Sequence, residues 1–366
     1  MRAAPPTATP HAVGRSTVRA WVRHSLALYV PGQALLFVAT GPHPWWLALL
    51  FLLPIVAAHV WDIRSSAETR QPAADLPHGP FDALVYLAGA MHLLNMLLWV
   101  RLFAEQSLFS MDFLIGVIVV GGSSGFSIIT AHELIHRPPL VERLYGRLLL
   151  CTVMYEHFYT EHVRGHHVRV GLPEDPATAR FGETFRHFFH RTVPAQFRHA
   201  WLLETTRLGD PALSLLDRRQ LHNRVLQGLA AEWGIALVIL LALGPGPFFA
   251  FVAQAFWAVL QLEVVNYFEH WGLTRRDPKR ATAHDSWDTH SRFTYYGLIG
   301  LSRHADHHQF ASRPYQDLRY REEAPVLPRG YIALIPLVLA GNREFQRLAI
   351  DELRRKRLGP FAQELT

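Results

Sequence analysis

The stretch FLIGVIVVGGSSGFSIITAHELIH, Phe113 to His136, joins two kinds of sequence that seldom sit side by side. From Phe113 to Ala131 there is no charge, and as an α-helix this run covers about 28 Å, close to the hydrocarbon thickness of a bilayer. At once there follow two histidines spaced i, i+4. Such a pair lies on one helix face, one turn apart, and presents two imidazoles to one point. The reading is a membrane span whose end carries metal ligands.

Working outward, five more apolar stretches appear, and all six fall in pairs: Leu26–Thr40 with Trp45–Val60, Ala83–Val100 with Phe113–Ala131, and Ala230–Leu243 with Phe248–Val265. Gly41–Pro44 separates the first pair and Gly244-Pro245-Gly246-Pro247 the last, which marks tight reversals. The fold class expected is all-α integral membrane, with about six transmembrane helices in three hairpins and a cytosolic histidine-rich domain. Of 36 basic residues only Arg101 falls within the spans and hairpin loops. The positive-inside rule therefore assigns the remaining segments, with both termini and the metal site, to the cytosol of an inner (plasma) membrane. The segments are a flexible tail at 1–23, spans within 24–131, a cytosolic stretch at 132–229, spans within 230–265 and a cytosolic stretch at 266–366. No signal-peptide cleavage pattern is evident. Tyr331–Ala340 is apolar but too short to span, and is expected to be interfacial or packed under the site.

Composition narrows the chemistry. There are 22 histidines and one cysteine in 366 residues. A single Cys151 excludes a disulfide framework and an internal iron–sulfur or rubredoxin-type centre, so electrons must come from a partner. The net charge of +6 suits an anionic membrane surface. No interleaving of basic and aromatic residues suggests nucleic acid.

The histidines gather in four motifs: His132-Glu133-Leu134-Ile135-His136, Glu161-His162-Val163-Arg164-Gly165-His166-His167, Asn266-Tyr267-Phe268-Glu269-His270-Trp271-Gly272 and His304-Ala305-Asp306-His307-His308. His132 with His136 and His162 with His166 have the i, i+4 spacing, and His304 with His307 the i, i+3 spacing. His167 and His308 are then expected to turn toward a neighbouring site, and His270 adds one ligand. Nine imidazoles exceed the coordination number of one ion, so two ions are expected. Imidazole alone does not select among Zn, Cu, Fe and Ni. Glu133, Glu161, Glu269 and Asp306 are candidates for orienting the ligands by accepting their other ring N–H, or for pairing with Arg137, Arg164 and Arg303. Isolated histidines such as His24, His43, His78, His187, His190, His199 and His222 read as surface or core polar groups. His92 and Asn95 read as helix–helix hydrogen bonding, and His284 and His290 as either supporting or solvated.

The HExxH pattern at His132–His136 also fits a zinc metalloprotease with Glu133 as base. No Leu-Asp-Gly motif supplies its usual third ligand, and seven clustered histidines are left over. A histidine-rich metal carrier would be expected to put its ligands inside the spans.

These residues resemble the membrane alkane hydroxylases (alkane 1-monooxygenases), with xylene-type monooxygenases and membrane fatty-acid desaturases as wider kin. The pieces are HELIHR at 132–137, EHVRGHH at 161–167, PEDPATARFGE at 173–183, NYFEHWGL at 266–273, RHADHHQFASRPYQDLR at 303–319 and LPRGY at 327–331. The resemblance implies a di-iron centre on the same nine histidines, O₂ as co-substrate, and electrons from rubredoxin and its reductase. It also implies hydroxylation of an apolar substrate, most simply an n-alkane, with aryl-methyl oxidation or fatty-acyl desaturation as alternatives. Trp271 stands where the family usually has Tyr, and Ile135-His136-Arg137 where Gly-His-Lys is common, which leaves the ligands intact and bears on substrate fit. Gly121–Gly125 reads as close helix packing or as a substrate channel. Trp45, Trp46 and Trp61 read as interfacial anchors or as channel gates, anchors being the commoner role. Arg164, Arg169, Arg180, Lys279, Arg280, Arg319 and Arg321 read as a surface for an acidic electron carrier.

Overall fold

The computed structural model describes residues 10–363, and within these every regular element is a helix, with only isolated bridges at Ala67–Ser291 and Asp288–Val326. In chain order the principal helices are α1 (Pro10–His24), α2 (Tyr29–Thr40), α3 (Trp45–Ile63), α4 (His78–Glu105), α5 (Met111–Ile135) and α6 (Leu140–Thr152). They continue as α7 (Phe185–Arg207), α8 (Arg224–Leu243), α9 (Pro245–His270), α10 (His304–Gln309), α11 (Tyr331–Leu339) and α12 (Arg343–Lys356).

Among the described residues five helices, α3, α4, α5, α8 and α9, are long and apolar enough to cross a membrane. The expected first span differs. Ser25–Leu28 is a 3₁₀ turn joining α1 to α2, and the 12 residues of α2 cover only about 18 Å as α-helix. The segment expected to be a flexible tail is also different where it is described. Residues 1–9 lie outside the described part, and from Pro10 the chain is helical. The end of α1 is held because Trp21 donates its indole N–H to the Pro80 carbonyl and His24 is buried among Phe81, Tyr295, Tyr296 and Tyr315.

The hairpin turns follow from local chemistry. Gly244 takes φ +93°, which only glycine adopts without strain, and ends α8. Pro245 then starts α9, where its missing N–H costs nothing. In α3, Pro54 cannot donate to the preceding turn and the helix is interrupted at Phe51. Side chains from α2 bond to carbonyls around this interruption: Gln33 Nε2 donates to Phe51 O at 2.8 Å and Tyr29 Oη to Pro54 O at 2.8 Å.

Helix α5 is the axis of the bundle, with 67% of its apolar window buried against 17% for α3 and 22% for α8. Its small residues allow this. A Cβ on Gly116 would meet Trp99 at 2.2 Å, and one on Gly121 would meet Trp257 at 2.7 Å. Polar groups within the bundle tie helices together. His92 Nε2 lies 2.7 Å from Thr152 Oγ1, Asn95 donates to Pro31 O at 3.0 Å, and Trp99 to Ala250 O at 2.8 Å. Helix α11 does not span; it packs along α3 and α9. Trp45, Trp46 and Trp61 are exposed on α3, as interfacial anchors would be.

Candidate metal centre

The nine histidines of the four motifs meet at the ends of α5 and α9. They form two adjoining groups: His132, His136, His162, His167 and His307 in one, and His166, His270, His304 and His308 in the other. Within each group one ring nitrogen per residue lies within 4.8 Å of all the others. The groups touch where His167 and His308 stack, their ring centroids 4.4 Å apart.

The pairing within two motifs differs from the spacing argument. His162 shares a group with His167, not His166, because Glu161–His166 is a π-helix. Its i→i+5 bonding adds a residue to the turn, so residues five apart share a face. In α10, ordinary α-helical spacing joins His304 to His308, and His307 turns to the other group. Gly165 lies against the Glu161 carboxylate within this π turn, where a Cβ would stand 2.7 Å from it.

The spacing of the ring nitrogens suits ions. Two nitrogens about 2.1 Å from one ion stand about 3.0 Å apart at a right angle and about 3.4 Å apart at the tetrahedral angle. The Nε2–Nε2 distances are 3.0 Å for His162–His167, 3.1 Å for His167–His307, 3.2 Å for His270–His304 and 3.0 Å for His304–His308. They are close to the separations of imidazoles that share one ion. His132 Nε2 and His136 Nε2 are buried without a hydrogen-bond partner, as expected of nitrogens reserved for a cation.

Burial also sets the protonation state. It pushes His162, His167, His304, His307 and His308 well below the ordinary histidine range, with neighbouring imidazoles adding to the effect. His136 is lowered to about 3 by burial and then by His166. These rings are neutral at physiological pH, the form that binds metal.

The four carboxylates divide. Glu133 is held by Arg137, with Nη2–Oε1 at 3.1 Å, so its place is an ion pair and it is not poised as a protease base. Asp306 is held by Arg313 and Arg321 and accepts from the Arg319 amide at 2.9 Å. Glu161 meets His199 Nδ1 at 2.9 Å, a histidine outside both groups. Glu269 lies at the site itself: Oε2 is 3.4 Å from His304 Nε2, and Oε1 accepts from Tyr331 Oη at 2.7 Å. The carboxylate that orients a clustered histidine in the expected way is Asp175, whose Oδ2 lies 2.9 Å from His166 Nδ1 and also accepts from Thr178. Burial opposes its ionisation, but His166 and Thr178 outweigh that and hold it below the usual carboxylate range. The only signal for Asp175 in the sequence was its place within PEDPATARFGE. Tyr331 likewise ended the LPRGY motif without a role. His284 and His290 belong to neither group.

A cavity of about 490 Å³ runs from His132, His162 and His304 along α5 toward the face of α3. Its walls are almost wholly apolar and include Phe126, Ile129, Leu262, Val265 and Ile335. It reaches the surface beside Val56, which is 54% exposed on the membrane-capable α3. The small-residue stretch divides: Gly121 packs on Trp257, whereas Gly122 and Gly125 line the cavity. Trp271 is not part of the wall. It is buried against Phe181 and Phe345, and its indole N–H donates to Glu183 O at 3.1 Å.

Residues 109–337 match the family model for fatty acid desaturase. Alkane 1-monooxygenase 2 of Pseudomonas aeruginosa is 34% identical over 312 residues, covering 81% of either chain. Alkane 1-monooxygenase 2 of Alcanivorax borkumensis is 31% identical over 327 residues, covering 85% of this chain and 84% of that one. Alkane 1-monooxygenase 1 of Pseudomonas aeruginosa is 40% identical over 223 residues, 58% of this chain and only a little over half, 56%, of the relative. The helices, the paired histidine groups and the common descent agree: this chain is a membrane oxidoreductase and belongs to the fatty acid desaturase family, in its alkane 1-monooxygenase branch.

Proposed function

We propose that the chain is a membrane-bound non-haem di-iron monooxygenase that converts the terminal C–H of an n-alkane to a primary alcohol. One atom of O₂ enters the product and the other leaves as water, with two electrons from a rubredoxin-type carrier and its reductase and two protons from solvent. The observation that carries the reading is the apolar cavity that ends on histidines of both groups, His132 and His162 in one and His304 in the other. A substrate lying there is apolar, and its end abuts the candidate metal ligands.

Iron bound at the nine histidines would supply the O₂ reduction and hydrogen abstraction, which no side chain here performs. The protein's own residues position and protect. Phe126, Ile129 and Val265 exclude water and hold the chain end in contact, which lowers the entropic cost of reaction. Asp175 fixes the tautomer and aim of His166. Tyr331 donates to Glu269 and keeps that carboxylate at the histidine end of the cavity. Arg180, Lys279, Arg280 and Arg319 are exposed and suit an acidic electron carrier, whereas Arg164 and Arg321 are committed to Glu204 and Asp306. The charge asymmetry supports a cytosolic site in the inner membrane.

The test is expression with a rubredoxin and its reductase, feeding n-octane, n-hexadecane, p-xylene and a fatty-acyl lipid. A 1-alkanol is expected. An alkene alone, or oxidation of p-xylene alone, overturns the assignment. Metal analysis is expected to give two irons per chain, and one zinc without iron would refute the di-iron reading.

A further inference from the structure

The cavity wall contributed by α5 is one continuous face. Ile118, Gly122, Gly125, Ile129 and His132 line it, at offsets of 4, 7, 11 and 14, the stripe expected along one side of an α-helix. The two glycines on this face are not equivalent. A Cβ on Gly125 would meet Gln261 at 3.3 Å, whereas a Cβ on Gly122 would have no heavy atom within 4 Å. The space beside Gly122 is therefore cavity and not a packing contact. At the other end of the stripe His132, 9% exposed, leaves its Nε2 without a hydrogen-bond partner.

We propose that Gly122 sets the length of alkyl chain that the cavity admits, by leaving open the passage between its metal end and its outer half. The proposal rests on the reading that the substrate is an alkyl chain. Along α5, Gly122 lies ten residues before His132, about 15 Å, and Ile118 fourteen residues before it, about 21 Å. An extended chain advances about 1.25 Å per carbon, from C–C bonds of about 1.5 Å at about 111°. The whole face thus accommodates about 17 carbons, and a side chain at Gly122 would stop the chain at about 12. Val119, Trp257 and Gln261 line the cavity together with Gly122.

The experiment compares wild type, Gly122→Phe and, as a control on a glycine outside the cavity that also has open space around it, Gly234→Phe. Each is supplied with n-octane and n-hexadecane in competition, and the product ratio is read. Gly122→Phe is expected to lower the hexadecane-to-octane ratio at least about tenfold, since a methylene that does not fit costs roughly ten- to 200-fold. Gly234→Phe is expected to keep the wild-type ratio. An unchanged ratio in Gly122→Phe overturns the proposal. Should Gly122→Phe not fold, Gly122→Ala and Gly122→Val are expected to lower the ratio in order of size, and equal ratios overturn it. If wild type oxidises no alkane, the functional reading fails separately. The gauge is then read with a hexadecane carrying a diazirine near its far end: labelling of the 113–131 segment in wild type that is lost in Gly122→Phe supports it, and equal labelling refutes it.

Discussion

The imidazole of His166 and the carboxylate of Asp175 meet at 2.9 Å, both buried, in a hydrogen bond that leaves Nε2 of His166 as the free ring nitrogen beside His270 and His308. Removing the carboxylate frees the ring to rotate and to change tautomer. Asp175→Ala is expected to weaken metal retention about 10- to 100-fold, measured by iron content against a graded chelator. Retention equal to wild type would show that the contact does not orient the ligand.

His166 and His167 are neighbours in sequence that serve different groups. His167→Ala leaves four histidines in its group, and His166→Ala leaves three in the other. The two substitutions are expected to deplete different iron signals in Mössbauer spectra, with the greater loss from His166→Ala. Loss of one and the same signal in both variants would contradict the grouping.

Glu156 provides a pH signature away from the histidine groups. Burial raises its carboxyl from 4.5 to about 7, against the opposing pull of Arg147. The folded chain therefore holds a proton that the unfolded chain has lost between these values, so stability falls as pH rises from about 4.5 through about 7. The amplitude is on the order of 3 kcal/mol for the shift of 4.5 to about 7. Glu156→Gln is expected to flatten that part of the profile of thermal midpoint against pH. A parallel wild-type and variant profile would assign the slope to other groups.

Asp62, at the end of α3, joins three segments that frame the site. It accepts from Ser291 and Thr294 hydroxyls through Oδ1 and from the Ala333 amide at 2.9 Å through Oδ2. Asp62→Asn places an NH₂ where an acceptor is needed and strands a buried N–H. The cost is expected at about 1–3 kcal/mol, read as a lower thermal midpoint. Because Thr294 also receives the Tyr331 amide, weaker activity is expected alongside. An unchanged midpoint would show that the segments are held elsewhere.

Much of this molecule is written locally. Apolar runs of bilayer length, the Gly-Pro reversals and the spacing of His132 and His136 depend on neighbours within a turn or two, so hairpins and ligands are legible by position. The amino-acid sequence by itself supplied the nine clustered histidines, the expectation of two ions and the sidedness of charge. Tertiary structure decided which histidine serves which group. Backbone bonding in Glu161–His166 is π rather than α, and one added residue per turn rotates His167 into the place that α spacing assigns to His166. It also decided that Asp175 orients a ligand while Glu133 and Asp306 bind arginines, because carboxylate partners lie in other segments and follow from packing. The cavity is likewise absent from any single stretch. It is the space that α3, α5, α9 and α11 leave between them, and only their packing shows that Gly121 is filled by Trp257 while Gly122 stands open.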